Sequence, residues 1–298
     1  MSGNKKISLL GIGWLGFPLA KKLIQMGYGV KGSTTSIDKL ELLKENGIQP
    51  YQIILSEDTI EGNIEGFLNN SEFLIIDIPP KLRSNPKENF VEKIKLLIAE
   101  IEKSTVKKVL FISSTSVYAD AFPIAVIDEN SIPNPDSESS RQLLQTEELL
   151  LSNPNFQTTI LRFGGLIGED RHPIKFLAGK TNVENPDAPI NLIHQEDCIG
   201  IIVEMLRYIQ LKKGLRQAQS DKSNKHEYNP YSYNKQLTEN VFNAVAPQHP
   251  TRKEYYQKKA EISNLPFPIF AKNKESKGKI ISSTKIETIL NYRFNKDI

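Results

Sequence analysis

Three glycines near the start of the chain, in Gly11-Ile12-Gly13-Trp14-Leu15-Gly16, have G-x-G-x-x-G spacing. Gly11 permits a tight turn, Gly13 lets backbone approach a diphosphate, and Gly16 lets a helix pack closely on a strand. The flanking residues make the spacing informative: 6–10 reads as a strand, and 17–26 as a helix ending at Gly27. A helix beginning there offers N–H groups and a positive dipole end to phosphate oxygens. The chemistry this predicts is dinucleotide binding. The expected cofactor contacts are Gly11, Gly13 and Gly16, with Trp14 and Leu15 of the same turn.

The second strand, 29–34, bears on which dinucleotide. A carboxylate about 20 residues beyond the glycines accepts ribose hydroxyls and selects NAD. Gly32-Ser33-Thr34-Thr35-Ser36 has none. The hydroxyls of Thr34 and Thr35, with Lys39 one helical turn on, suit a 2′-phosphate. NADP is therefore the expected cofactor, with NAD as the alternative. No spacing of His, Cys, Asp or Glu suggests a bound metal. Cys198 is the single cysteine, which excludes an intrachain disulfide and reads as a small buried side chain.

The elements that must position these residues follow from periodicity. Apolar strands are expected at 51–55, 73–78, 109–112 and 158–163. Amphipathic helices are expected at 37–47, about 90–101 and 139–151. Pro79-Pro80 closes the fourth strand, and Pro79 is a further expected cofactor contact. Strands alternating with helices argue for an α/β fold, a Rossmann-type doubly wound parallel sheet with a smaller C-terminal α/β part. Residues 1–165 are read as the nucleotide-binding domain, with 190–210 returning to it. Residues 166–189 and 211–298 form the smaller, substrate-binding part. Within it, 212–235 is polar without apolar periodicity and reads as a mobile insertion.

The 298 residues carry a formal net charge of only +3, with lysines scattered rather than clustered, so nucleic acid is not an expected partner. No apolar run approaches the ~20 residues of a membrane helix. A cytoplasmic protein with a small polar substrate is the expectation.

Further motifs carry a family resemblance. Phe111-Ile112-Ser113-Ser114-Thr115-Ser116-Val117-Tyr118 resembles the S-S-x-x-V-Y signature of extended short-chain dehydrogenases/reductases, which include nucleotide-sugar epimerases and dehydratases. Leu161-Arg162-Phe163-Gly164-Gly165-Leu166-Ile167-Gly168 is similar to their L-R-x-x-x-x-Y-G segment. Asn191-Leu192-Ile193-His194-Gln195-Glu196-Asp197 is similar to their I-H-V-D-D segment. The G-x-G-W-L-G turn, Arg171-His172-Pro173 and the stretch from His249 to Tyr256 resemble an atypical branch, the YeeZ-like proteins. The resemblance implies that Ser114 hydrogen-bonds the reacting oxygen of a substrate and that Ser113 lies at the cofactor. It also implies that Thr115, Arg171 and His172 reach substrate, and it makes a homodimer the assembly to look for. His194 reads as a residue that holds the fold rather than one that reacts.

The chain departs from that family at its most reactive position. Members carry Y-x-x-x-K at the start of the helix after the fifth strand. Aligning Pro135 and Glu147 puts Ser139 at the Tyr position and Leu143 at the Lys position. A serine hydroxyl is too weak an acid to replace the phenol, and leucine carries no charge. Three other Tyr/Lys pairs have the spacing: Tyr208/Lys212, Tyr231/Lys235 and Tyr255/Lys259. All lie downstream of that helix. Two functions remain open: a divergent NADP-dependent oxidoreductase or epimerase-like enzyme acting on a sugar nucleotide or similar substrate, and a non-catalytic NADP-binding sensor that has lost its Tyr and Lys.

Overall fold

The computed structural model describes residues 5–82, 85–219, 238–272 and 275–298, with the side chains of 212–219 excepted. The chain divides into two compact units. The first comprises the described residues of Met1–Val117, Pro135–Arg162 and Glu227–Val241, and the second those of Tyr118–Asn134, Phe163–His226 and Phe242–Ile298.

Seven strands form the main sheet: β1 (Lys6–Leu10), β2 (Gly29–Thr34), β3 (Gln49–Gln52), β4 (Phe73–Ile76), β5 (Lys108–Ser114), β6 (Gln157–Phe163) and β7 (Val241–Ala244). Their order is β7-β6-β5-β4-β1-β2-β3. Parallel registers pair Ile7 with both Val30 and Phe73, Gly32 with Pro50, and Phe73 with Lys108. β4 is buried along its whole length, as a strand covered on both faces must be, and its sequence is accordingly all apolar. The strand order reverses at β1 and β4. The crevice beyond the C-terminal ends of these two strands is where open α/β sheets bind ligands.

Helices α1 (Gly16–Gln25), α2 (Leu40–Glu45), α3 (Phe90–Lys103) and α4 (Glu138–Ser152) belong to the same unit. α1 buries Leu19, Ala20 and Leu23. α3 buries Phe90, Ile94, Leu97 and Ile101 at helical spacing, and the Asn89 side chain caps it by accepting from Glu92 N. Ser137 caps α4 in the same way through Ser140 N.

The second unit contains α5 (Gln195–Gln219), α6 (Arg252–Ile262) and two parallel strand pairs. Gly165–Ile167 pairs with Leu192–His194, and Ala125–Ile127 with Lys279–Ile281. Tyr255, Tyr256 and Ala260 of α6 pack with Ile167, Ile174 and Ile190 in its core. Asp197, fully buried in the first turn of α5, accepts hydrogen bonds from Tyr292 Oη (2.8 Å), Asn295 N (2.8 Å) and Lys296 N (3.1 Å). Cys198 beside it is buried.

The structure corrects several expected elements. The strand read at 51–55 is two pieces: β3 joins the sheet, whereas Ile54–Leu55 turns away to pair antiparallel with Ile60–Glu61. Strand four ends at Ile76 rather than 78. The insertion read from Lys212 begins too early, because α5 continues to Gln219. Leu, Lys, Arg, Gln and Ala are strong helix formers, and here propensity outweighs the absence of an apolar stripe. Residues 220–235 of that expected insertion lie outside the described residues.

Candidate functional site

The glycine turn begins where β1 ends. Gly11 has φ +105°, a conformation open to glycine, and a Cβ there would fall 2.2 Å from the carbonyl oxygen of Asp77. A Cβ on Gly16 would fall 2.2 Å from the carbonyl oxygen of Gly11. Both positions are closed by backbone. Gly13 is different: it is exposed, and nothing lies within 4 Å of where its Cβ would stand. The turn is pinned to β2, with Gly11 N donating to Ser33 Oγ (3.0 Å) and Ile12 N to the Ser33 carbonyl (2.8 Å). α1 then starts behind Leu15 with no side-chain cap and no acid in its first turn. The result is an uncapped helix N-terminus beside a side-chain-free backbone, with open space over Gly13, which fits an anionic diphosphate. Leu15 is buried and Trp14 half-buried at this edge.

Asp77 is a site residue that the sequence reading passed over. It follows the last residue of β4, and its backbone N donates to the Leu10 carbonyl (2.8 Å). Its Oδ2 lies 3.3 Å from the Cβ position of Gly16, beside the first residue of α1. No hydrogen bond or ion pair to another described residue engages its carboxyl. Burial pushes its pKa up to about 7. The signal in the sequence was an acid closing the apolar run Phe73-Leu74-Ile75-Ile76.

At the end of β2, Thr34 is buried and its Oγ1 accepts from Ser36 N (3.2 Å). Thr35 and Lys39 are exposed, and so is Asp38, a carboxylate in the single 3₁₀ turn Ile37–Lys39. Pro79 is also exposed.

At the end of β5 the two adjacent serines face different tasks. Ser113 is buried, and its hydroxyl donates to Glu147 Oε1 (2.5 Å). Glu147 on α4 is in turn held by Arg162 of β6, whose Nε lies 3.0 Å from Oε1 and 3.1 Å from Oε2. Both ion-pair side chains are at least 95 % buried, with exposures of 5 % and 1 %. Ser114 is half-buried, and its Oγ accepts from Ser116 N (3.1 Å) in the 3₁₀ turn Thr115–Val117. No described residue takes the Ser114 hydroxyl proton. Thr115 is buried. On α4, Ser139 is half-buried and Leu143 is buried.

In the second unit, Arg171 is exposed in a tight turn closed by two backbone hydrogen bonds with Gly168. His172 turns inward. Its Nδ1 accepts from Ile174 N (3.1 Å), so the proton sits on Nε2, which is 2.8 Å from Tyr255 Oη. Burial, with Lys259 and Lys175 nearby, pushes its pKa down to about 4. Both ring nitrogens are thus engaged within the unit. Tyr255 has the Tyr/Lys spacing with Lys259, whose ammonium lies 5.4 Å from its ring centre. Burial raises the Tyr255 phenol well above its ordinary range, the opposite of what a general acid/base at neutral pH requires. Tyr208 of the second pair packs edge-on against Phe242, with ring centres 6.1 Å apart. The third pair, Tyr231/Lys235, lies outside the described residues.

Comparison with known proteins decides the family. The chain is 32% identical to the protein YeeZ of Escherichia coli K12 over 293 residues, covering 97% of this chain and 96% of that one. This chain belongs to the YeeZ family. No family model matches it. Among solved structures, the UDP-glucose 4-epimerase of Thermotoga maritima superposes with a TM-score of 0.71 at 18% identity, covering 98% of this chain and 94% of that one. The UDP-glucuronic acid 4-epimerase of Bacillus cereus, solved in complex with NAD, gives 0.71 at 18% identity over 98% and 92%. At that identity the likeness establishes a shared Rossmann-type fold. For the YeeZ family member described here, no helix among the described residues is long and apolar enough to cross a membrane.

Proposed function

We propose that this YeeZ-family chain binds a nicotinamide dinucleotide at the glycine turn and acts as a divergent oxidoreductase or epimerase-like enzyme on a sugar nucleotide or similar polar substrate. The observation that carries the reading is the contrast among the three glycines. Backbone closes Gly11 and Gly16, whereas the space over Gly13 is open beside an uncapped helix N-terminus. A fold that needed glycine only for its own packing has no use for it at Gly13. The epimerase of Bacillus cereus with the same fold is described in complex with NAD, which supports the same class of cofactor here.

When bound, the nicotinamide supplies hydride transfer. The chain's own contributions are binding, orientation and one hydroxyl. Ser114 has a proton to donate to a substrate oxygen, and Ser113 is spent on Glu147. Ser113 then acts by fixing the end of β5 rather than by touching the cofactor. Arg171 and Thr115 stay assigned to substrate, and Pro79 to the cofactor. Thr35 and Lys39, both exposed at the end of β2, favour NADP; Thr34 is turned toward its own backbone.

Calorimetry with NADPH and NADH tests the reading, and tighter NADPH binding is the expected result. Thr35→Asp should reverse the order by repelling the 2′-phosphate. A wild-type preference for NADH would transfer the ribose contact to Asp38. Binding of neither would remove the dinucleotide site.

A second reading is favoured by Ser139 and Leu143 at the positions where relatives place Tyr and Lys. On that reading the chain is a dinucleotide-binding sensor without turnover. NADPH consumption against a panel of carbonyl compounds and nucleotide sugars separates the two readings.

A further inference from the structure

The dinucleotide reading leaves Asp77 unused, and its position is the least expected in the site. It stands at the strand-order reversal, where β4 ends beside β1. Its carboxyl lies by Gly16, the first residue of α1, 3.3 Å from that residue's Cβ position. A diphosphate at the glycine turn would use the same helix N-terminus. Two anions would then share one positive dipole end across a thin layer of side-chain-free backbone.

Beyond that helix end, the described neighbours offer Asp77 no charge. Its neighbours include Leu10 at the end of β1, Gly11 and Gly16 of the turn, and Ile78. On the far side β5 presents Phe111, paired with Ile76. None of these is ionisable. The first turn of α1 carries no acid, and burial is the sole cause of the carboxyl's raised pKa, with no charged neighbour contributing. Asp77 is half-buried, and among the described residues no cation balances its carboxylate.

We propose that dinucleotide binding at the glycine turn is coupled to uptake of one proton by Asp77. The site accepts the diphosphate when the Asp77 carboxyl is neutral and disfavours it when the carboxyl is ionised. The proposal rests on the dinucleotide reading and adds to it a pH-dependent affinity. Its sign follows from linkage: a second anion raises the carboxyl's affinity for a proton, so the proton raises the site's affinity for the anion. Cofactor loading would weaken as pH rises through neutrality.

The test is calorimetric titration with whichever of NADPH and NADH binds the wild-type protein more tightly, from pH 6 to 8.5. Kd should rise roughly ten- to thirtyfold across that range, as expected when a carboxyl titrating near neutrality must be protonated. In Asp77→Asn, which keeps the shape and cannot ionise, Kd should be nearly constant. Any titration of the ligand's own 2′-phosphate is common to both proteins and cancels in the comparison. A second measurement needs no variant. At pH 7.5, binding enthalpies in two buffers of different ionisation enthalpy should report uptake of roughly half a proton or more. Constant wild-type affinity with no proton uptake overturns the coupling, as does an unchanged slope in Asp77→Asn. Failure of both dinucleotides to bind at any pH removes the dinucleotide reading itself and is distinguishable from either result.

Discussion

At position 13 a side chain has room in the protein and none beside a diphosphate. Gly13→Val should therefore leave the thermal midpoint close to the wild-type value while lowering dinucleotide affinity about 100-fold or more, some 2.7 kcal/mol. Gly16→Ala should do the reverse. Its methyl group meets the Gly11 carbonyl, so the fold should lose about 1–3 kcal/mol, measured by urea denaturation. Equal effects of the two substitutions on binding and stability would count against the roles given to these glycines. The hydroxyls separate in the same manner. On any substrate that is turned over, Ser139→Ala should change kcat less than tenfold. Ser114→Ala should cost more, because its proton is the one available to polarise a substrate oxygen. Removal of a general acid/base from an active site usually costs ~10²–10⁴. A Ser139→Ala enzyme slowed by orders of magnitude with cofactor affinity intact would show that the missing phenol had been misplaced on α4.

Among the elements, the ends of β5 and β6 are joined to α4 by a buried ion pair with a serine attached. Arg162 and Glu147 are almost fully enclosed. Removing one charge leaves the other buried without its partner, which typically costs about 3–5 kcal/mol. Glu147→Gln should destabilise by that order in urea, although the amide keeps an oxygen to which Ser113 can donate. A loss below about 1 kcal/mol would mean that water replaces the pair. The elements were legible in the sequence to uneven depth. β2 is found at the expected residues, and α3 and α4 begin and end within a residue or two of theirs, because apolar spacing and capping residues mark them. β7 escaped notice: four residues at a sheet edge are too few for a period to register. The length of α5 was missed because its last turns carry no apolar stripe. In the site, the glycines and Ser114 stood out through spacing and motif. Ser33 and Asp77 did not, because what matters about each is a neighbour brought from another strand by the fold.

For the whole molecule, two half-buried ionisable groups pull stability in opposite directions over one pH interval. Asp77 titrates near 7 when folded and near 3.8 in its ordinary state. The folded chain therefore holds more protons there, and this contribution declines as pH rises from about 4 to 7. His172 titrates near 4 when folded and near 6.5 ordinarily. The unfolded chain therefore holds more protons, and this contribution declines as pH falls through the same interval. If the chain unfolds in one transition, the wild-type midpoint should vary little between pH 4.5 and 6.5. Asp77→Asn should expose the His172 slope, with the midpoint rising as pH increases. A scanning calorimeter run at four pH values checks this, and a variant profile as flat as the wild-type one would count against the pairing.

The pairing of Ala125–Ile127 with Lys279–Ile281 also has a consequence in time. At roughly 5–20 residues per second of synthesis, the first strand waits about 10–30 s for its partner to be made. Val126 is 66% exposed even after pairing, so during that interval an apolar edge stands open on the nascent chain. The Asp197 clamp is later still, since its donors are Tyr292, Asn295 and Lys296. Yield in a cell should therefore respond to chaperone supply and to the speed of translation between codons 127 and 296, independently of how stable the finished protein proves to be.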